Sequence, residues 1–120
     1  RGDSSHVFML NALNNKFKFI APEFLFIEAG KHTAEIAERS ALPLQEVKKD
    51  IKLIMKQIKF IPEEQYADKL KEAREILKEH EKDTPYLALA LKFNCDIFSG
   101  DKTLKSIISD KVKNPKELLG

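Results

Sequence analysis

Asp101, Asp83 and Glu28 are the side chains of this sequence whose placement can do chemistry, because carboxylate oxygens are the ligands that magnesium or manganese require. Asp101 follows the apolar run Asp96-Ile97-Phe98 through Ser99-Gly100, which places its carboxylate at the carboxyl end of a strand and at the start of the next helix. The same position is an ordinary helix N-cap, which Asp supplies very commonly, and on this feature alone capping is the simpler reading. Asp83 carries the same ambiguity, since Asp83-Thr84-Pro85 has the form of a helix start. Glu28 is harder to assign to capping. It lies among Phe24, Leu25, Ile27 and Ala29, and a carboxylate buried there needs a partner. On its C-terminal side the candidates are Lys31 and His32; a hard cation is the alternative, and an ordinary surface or hydrogen-bonded glutamate is an equal one.

The elements that position these acids follow from the hydrophobic pattern. Ser4 and Ser5 are N-cap residues for a helix running to about Leu13, with Val7, Leu10 and Leu13 on one face, and Asn14-Asn15 breaks it. Lys16 to Ile20 alternates polar and apolar residues as a short strand does. Pro22 opens a long helix to about Arg39 that Gly30 weakens or bends, and Pro43 opens another through Met55. Ile58 to Ile61 reads as the next strand and Glu63 to Glu79 as a charged amphipathic helix. Tyr86 to Phe93 is apolar enough to lie deep in the core, Cys95 to Phe98 is a short buried strand, Lys102 to Ile108 a short helix, and Asn114 to Leu119 a last helical turn. Strands alternating with helices predict an α/β domain of three layers, α/β/α, on a short parallel sheet, with ligands bound beyond the carboxyl ends of the strands.

The bulk properties set outer bounds. The chain of 120 residues is 42% hydrophobic, with no shift of composition along it, and is read as one domain, residues 1–120. Charged residues make up 33% but the net charge is only +2, so composition alone announces no nucleic acid. The single Cys95 forms no internal disulfide and belongs to no zinc-binding spacing, which fits a reducing cytoplasm. No apolar run approaches the roughly 20 residues that span a bilayer, so no membrane partner is expected. His6, His32 and His80 show no ligand spacing and are read as surface residues. Arg1-Gly2-Asp3 spells an adhesion tripeptide by chance, and the lysines around Lys48-Lys49 and Lys69-Lys71 read as solvated faces.

Three segments together resemble the PIN-domain family. Ala21-Pro22-Glu23-Phe24-Leu25-Phe26-Ile27-Glu28 is similar to the segment that ends in an acidic metal ligand. Asp83 to Leu91 resembles the family's Asp-led, Leu/Ala-rich core helix, and Ile97 to Leu104 its strand followed by Ser-Gly-Asp. The resemblance runs from about Val7 to Leu119. It implies a ribonuclease dependent on Mg²⁺ or Mn²⁺, with Glu28, Asp83 and Asp101 as catalytic metal ligands; Lys102, Thr103 and Lys105, with Lys111, lie close in sequence to that site and are read as the residues that meet the phosphates of RNA. Because family members include toxins of toxin–antitoxin pairs and RNA-processing nucleases, an antitoxin protein and a second copy of the chain are further partners that it allows.

The sequence departs from that family in two places. Members begin with an apolar strand ending in Asp-Thr-Asn or Asp-Ser-Ser, and no apolar strand precedes Phe17. Asp3-Ser4-Ser5 mimics the motif with only Arg1 and Gly2 before it; residues 2–13 align better with the helix after that strand, which is expected upstream of residue 1. The acidic residue that some members carry two positions after the last Asp is here Thr103. The rival readings are a catalytically silent PIN-like module that binds RNA or protein, and a phosphoacceptor or phosphatase-like α/β domain, for which no Asp nucleophile with lysine and hydroxyl partners is found.

Overall fold

Residues 3–119 are described by a computed structural model, with side chains from His6 onward, and they fall into two units, Arg1–Ile61 and Pro62–Gly120. The capping expected of Ser4 and Ser5, and any role of the Asp3 side chain, lie outside the described residues.

In the first unit, helix α1 (Asp3–Asn14) is followed by strand β1 (Phe19–Pro22), helices α2 (Phe24–Lys31), α3 (Thr33–Ser40) and α4 (Leu44–Lys56), and strand β2 (Ile58–Ile61). β1 and β2 are parallel, with Phe19 opposite Ile58 and Pro22 opposite Ile61. Such a parallel pair needs a crossover, which the three intervening helices supply. The face expected on α1 is corrected. Val7 is buried, but Leu13 is 85% exposed, and the polar Asn11 is buried instead.

Asn11 explains where β1 starts. Its Oδ1 accepts from the Phe17 N–H at 2.7 Å and its Nδ2 donates to the Phe17 carbonyl at 3.1 Å. Both backbone groups of Phe17 are thereby occupied, so the strand read over 16–20 begins instead at Phe19. Asn11 Nδ2 also donates to Gln57 Oε1 at 2.9 Å, and Gln57 Nε2 donates to the Phe8 carbonyl at 2.9 Å, which ties α1 to the end of α4. A buried polar cluster is tolerated because its members satisfy one another.

The long helix expected from Pro22 to Arg39 is two helices, and the break falls at His32, not Gly30. His32 sits at φ −104°, ψ 10°, while the Thr33 hydroxyl donates to the Ala29 carbonyl at 2.9 Å. Such bonding back onto the preceding turn competes with continuation of the helix.

The second unit opens with 3₁₀ turns Glu63–Gln65 and Ala67–Lys69 before helix α5 (Leu70–Leu77). One helix over 63–79 was expected; the buried Tyr66 interrupts it at φ −124°. A third 3₁₀ turn, Glu81–Asp83, leads into helix α6 (Thr84–Phe93), followed by strand β3 (Ile97–Phe98), helix α7 (Lys102–Ile107), strand β4 (Val112–Lys113) and helix α8 (Pro115–Leu119). β3 and β4 are parallel, Ile97 opposite Val112. The core of this unit includes Leu77, Leu87, Ala88, Leu89 and Val112, so α6 is the central helix as expected, although its last residue, Phe93, is exposed. The chain is mostly helical with short parallel strands, an α/β fold of the expected class.

Candidate functional site

Asp101 and Asp83 both precede helices, yet the two backbones differ. Asp101 is extended, at φ −73° and ψ 112°, which turns its side chain back over the first turn of α7. Its Oδ1 accepts from the N–H groups of Thr103 at 2.9 Å and Leu104 at 3.1 Å, while its own N–H donates to Ser99 Oγ at 3.0 Å. The Leu104 N–H holds the Asp101 carboxyl below the usual range; partial burial opposes it less strongly, and Thr103 N–H, Lys82 and His80 add smaller lowering effects. The capping role is therefore real. Oδ2 has no hydrogen bond among the described residues.

Asp83 is helical, at φ −93° and ψ −2°, and its side chain caps nothing. Two features of the sequence cause this. The 3₁₀ turn Glu81–Asp83 runs straight into α6, and Pro85 at the second helical position has no N–H to offer. Its carboxylate is half-buried and without a hydrogen bond or ion pair among the described residues. The neighbouring Thr84 Oγ1 is buried with no hydrogen-bond partner among the described residues.

Glu28, in the first unit, is not the buried carboxylate that its apolar neighbours suggested. Its side chain is 47% exposed because α2 buries none of its residues, leaving Phe26 and Ile27 exposed and Phe26 packed edge-on against Phe60 at 5.4 Å. The partners are those available on its C-terminal side: Oε2 lies 3.2 Å from His32 Nε2, and Oε1 3.9 Å from Lys31 Nζ. His32 Nδ1 reaches Glu35 at 3.1 Å, so this ring bridges two carboxylates and is more than a bystander.

Of the residues expected to meet phosphates, Lys102 and Thr103 are exposed, but the Lys105 ammonium is engaged by Glu117. Glu117 also accepts from the Asn114 N–H at 3.2 Å while Asn114 Oδ1 accepts from the Glu117 N–H at 2.8 Å, a reciprocal box that starts α8. Lys82 was not singled out from the sequence, and His80 was read there only as a surface residue; both help to lower the Asp101 carboxyl. No spacing rule could have found them, since they approach it only through the turn before α6.

Oxygen donors of this kind suit a hard cation, and Asp83 and Asp101 each keep at least one carboxylate oxygen uncommitted. Among the described residues, no three His, Cys, Asp or Glu side chains form a metal-holding group.

Short parallel strands in an α/β fold, with an acid just after a strand and others at or near helix starts, define a class of α/β domain that gathers carboxylates at strand ends. The PIN domain family model matches residues 5–117, and the chain belongs to the PIN-domain family. PIN domains are generally nucleases and typically use divalent metals. No curated protein and no solved structure matches the chain. Among the described residues no helix is long and apolar enough to cross a membrane.

Proposed function

We propose that the protein is an endoribonuclease of the PIN type, hydrolysing RNA phosphodiester bonds with Mg²⁺ or Mn²⁺ held by Glu28, Asp83 and Asp101. The observation that carries this reading is the uncommitted Asp83 carboxylate at the head of the core helix of a PIN-domain chain. A bound divalent ion would activate water and neutralise phosphate charge. Asp101 serves two purposes, Oδ1 ordering α7 and Oδ2, which has no hydrogen bond among the described residues, left for a ligand. Glu28 exchanges its contacts with His32 and Lys31 for the cation. Lys102 and Thr103 meet the RNA backbone, and Lys105 does so only on leaving Glu117. Single-stranded or looped RNA is the substrate, because its scissile phosphate is accessible.

The family match runs through both units, which supports treating residues 1–120 as one domain. A cytoplasmic role, either as a toxin with an antitoxin partner or as an RNA-processing nuclease, and a homodimer are parts of this proposal that rest on nothing beyond the family resemblance. The absence of a three-acid group among the described residues favours a second reading, a catalytically silent PIN-like module that binds RNA or protein.

The test is cleavage of labelled single-stranded RNA by the natural full-length chain, with Mg²⁺ or Mn²⁺ and with a chelator. Loss of a metal's outer-shell partner alone costs about 10–100-fold, so Asp83→Asn, Asp101→Asn and Glu28→Gln should each cost at least that. Cleavage that survives the chelator or the substitutions removes the metal-nuclease reading. A folded chain that binds RNA without cutting it establishes the silent module.

A further inference from the structure

The lysines of α4 occupy one face of that helix and answer to nothing else in the described structure. At 3.6 residues per turn, Lys48, Lys49, Lys52 and Lys56 fall within an arc of about 100°. All four are exposed, and none has an ion pair among the described residues. Glu46 and Asp50, the acids of α4, lie outside the arc. The opposite face supplies Val47, which is buried, with Ile51 and Ile54 half-buried beside it, so the helix is anchored by its apolar side and presents its cations outward. Lys48, Lys52 and Lys56 succeed one another at a rise of about 6 Å, a row about 12 Å long.

The second unit shows what an ordinary charged face looks like. Around α5, Lys71, Arg74 and Lys78 alternate with Glu72, Glu75 and Glu79, and Lys69 lies 3.7 Å from Glu72. Mixed signs there cancel within a turn. On α4 they do not, although the net charge of the whole chain is only +2.

We infer that the Lys48/Lys49/Lys52/Lys56 face of α4 is a docking surface for the phosphate backbone of RNA, holding the strand without reading its sequence. This rests on the nuclease reading for the identity of the polyanion. Ammonium groups on flexible stems act as point charges toward phosphate, giving affinity that is insensitive to base identity and strongly dependent on salt. An anionic membrane fits less well, because the apolar side of α4 is turned into its own unit and is not free to enter lipid.

The experiment is fluorescence anisotropy of labelled single-stranded RNA with the full-length chain, in chelator to prevent cleavage, across a salt series. One variant carries Lys→Gln at positions 48, 49, 52 and 56; a charge-matched control carries Gln at Lys71, Arg74, Lys78 and Lys116, all exposed. Circular dichroism verifies folding of each. The α4 variant is expected to bind at least about tenfold more weakly at low salt, with the slope of log K against log salt reduced by up to about 3, from about 0.7 per phosphate contact. The control keeps the wild-type slope. An unchanged slope in the α4 variant overturns the inference, as does an equal loss in both variants, which shows net charge acting alone. Binding to phosphatidylserine vesicles in place of RNA also overturns it. Failure of Asp83→Asn to stop cleavage, with the α4 effect intact, removes the metal site and leaves the docking surface standing.

Discussion

Two helix starts in the second unit carry the same residue and treat it oppositely. Asp101 spends one carboxylate oxygen on the N–H groups of Thr103 and Leu104, while Asp83, at the head of α6, spends none. The difference lies in the backbone around each acid. After Asp101 the second and third helical positions are Thr103 and Leu104, both donors; after Asp83 the second position is Pro85, and the preceding 3₁₀ turn has already brought the backbone into helical geometry. An Asp before a helix is thus a cap only if the backbone is extended and the N–H groups exist. Where they do not, the carboxylate is left for other work, and α6 starts without it because its core residues hold the helix in place.

The largest expected effect separates helix anchoring from helix capping. Leu87 is fully buried on α6, and Leu87→Ala should cost about 2–5 kcal/mol in denaturant unfolding. If α6 depended on its Asp for order, Asp83→Ala would approach this value; it should instead stay within about 0.5 kcal/mol, the range of substitutions that break no named interaction. Next in size is Asn11, whose removal strands the Phe17 backbone groups. Asn11→Ala should cost about 1–3 kcal/mol, read from the same unfolding curves.

Asp101→Ala should lower the melting temperature where Asp83→Ala does not, and Asp101→Asn should restore most of it, since the amide oxygen still caps. Equal melting temperatures for both alanine variants would erase the distinction between the two starts.

The smallest effect concerns the third start, Asn114 with Glu117. The Lys105 ammonium, and then the Asn114 N–H, hold the Glu117 carboxyl below its ordinary value of 4.5. A group depressed in the folded state stabilises above its unfolded pKa, and that contribution is lost as pH falls through the lower folded value. Melting curves of Glu117→Gln should therefore fall less steeply than wild type below about pH 4.5 and lie slightly lower at neutral pH.

Much of the element order was legible because apolar runs and prolines mark it, as at Pro43 and at Asp83-Thr84-Pro85. Other features were set by contacts that no local pattern carries. β1 is delayed by an Asn side chain six residues upstream of Phe17. β4 is two residues long, between Lys111 and Asn114, too short to show a period. The exposure of Glu28 followed from α2 burying none of its residues, although the sequence around it is as apolar as a core helix. Asp101 was legible as both cap and ligand, whereas the freedom of Asp83 became visible only with the backbone angles and the absent N–H of Pro85.

The most direct measurement is Mn²⁺ binding to the full-length chain, monitored by electron paramagnetic resonance of the free ion, for wild type, Asp83→Asn and Asp101→Asn at matched folded fractions. Saturable binding in the wild type that is lost or greatly weakened in both variants, with melting temperatures nearly unchanged, is the expected result. Binding undiminished in Asp83→Asn would contradict it, because the uncommitted carboxylate at the head of α6 would then have no part in holding the metal.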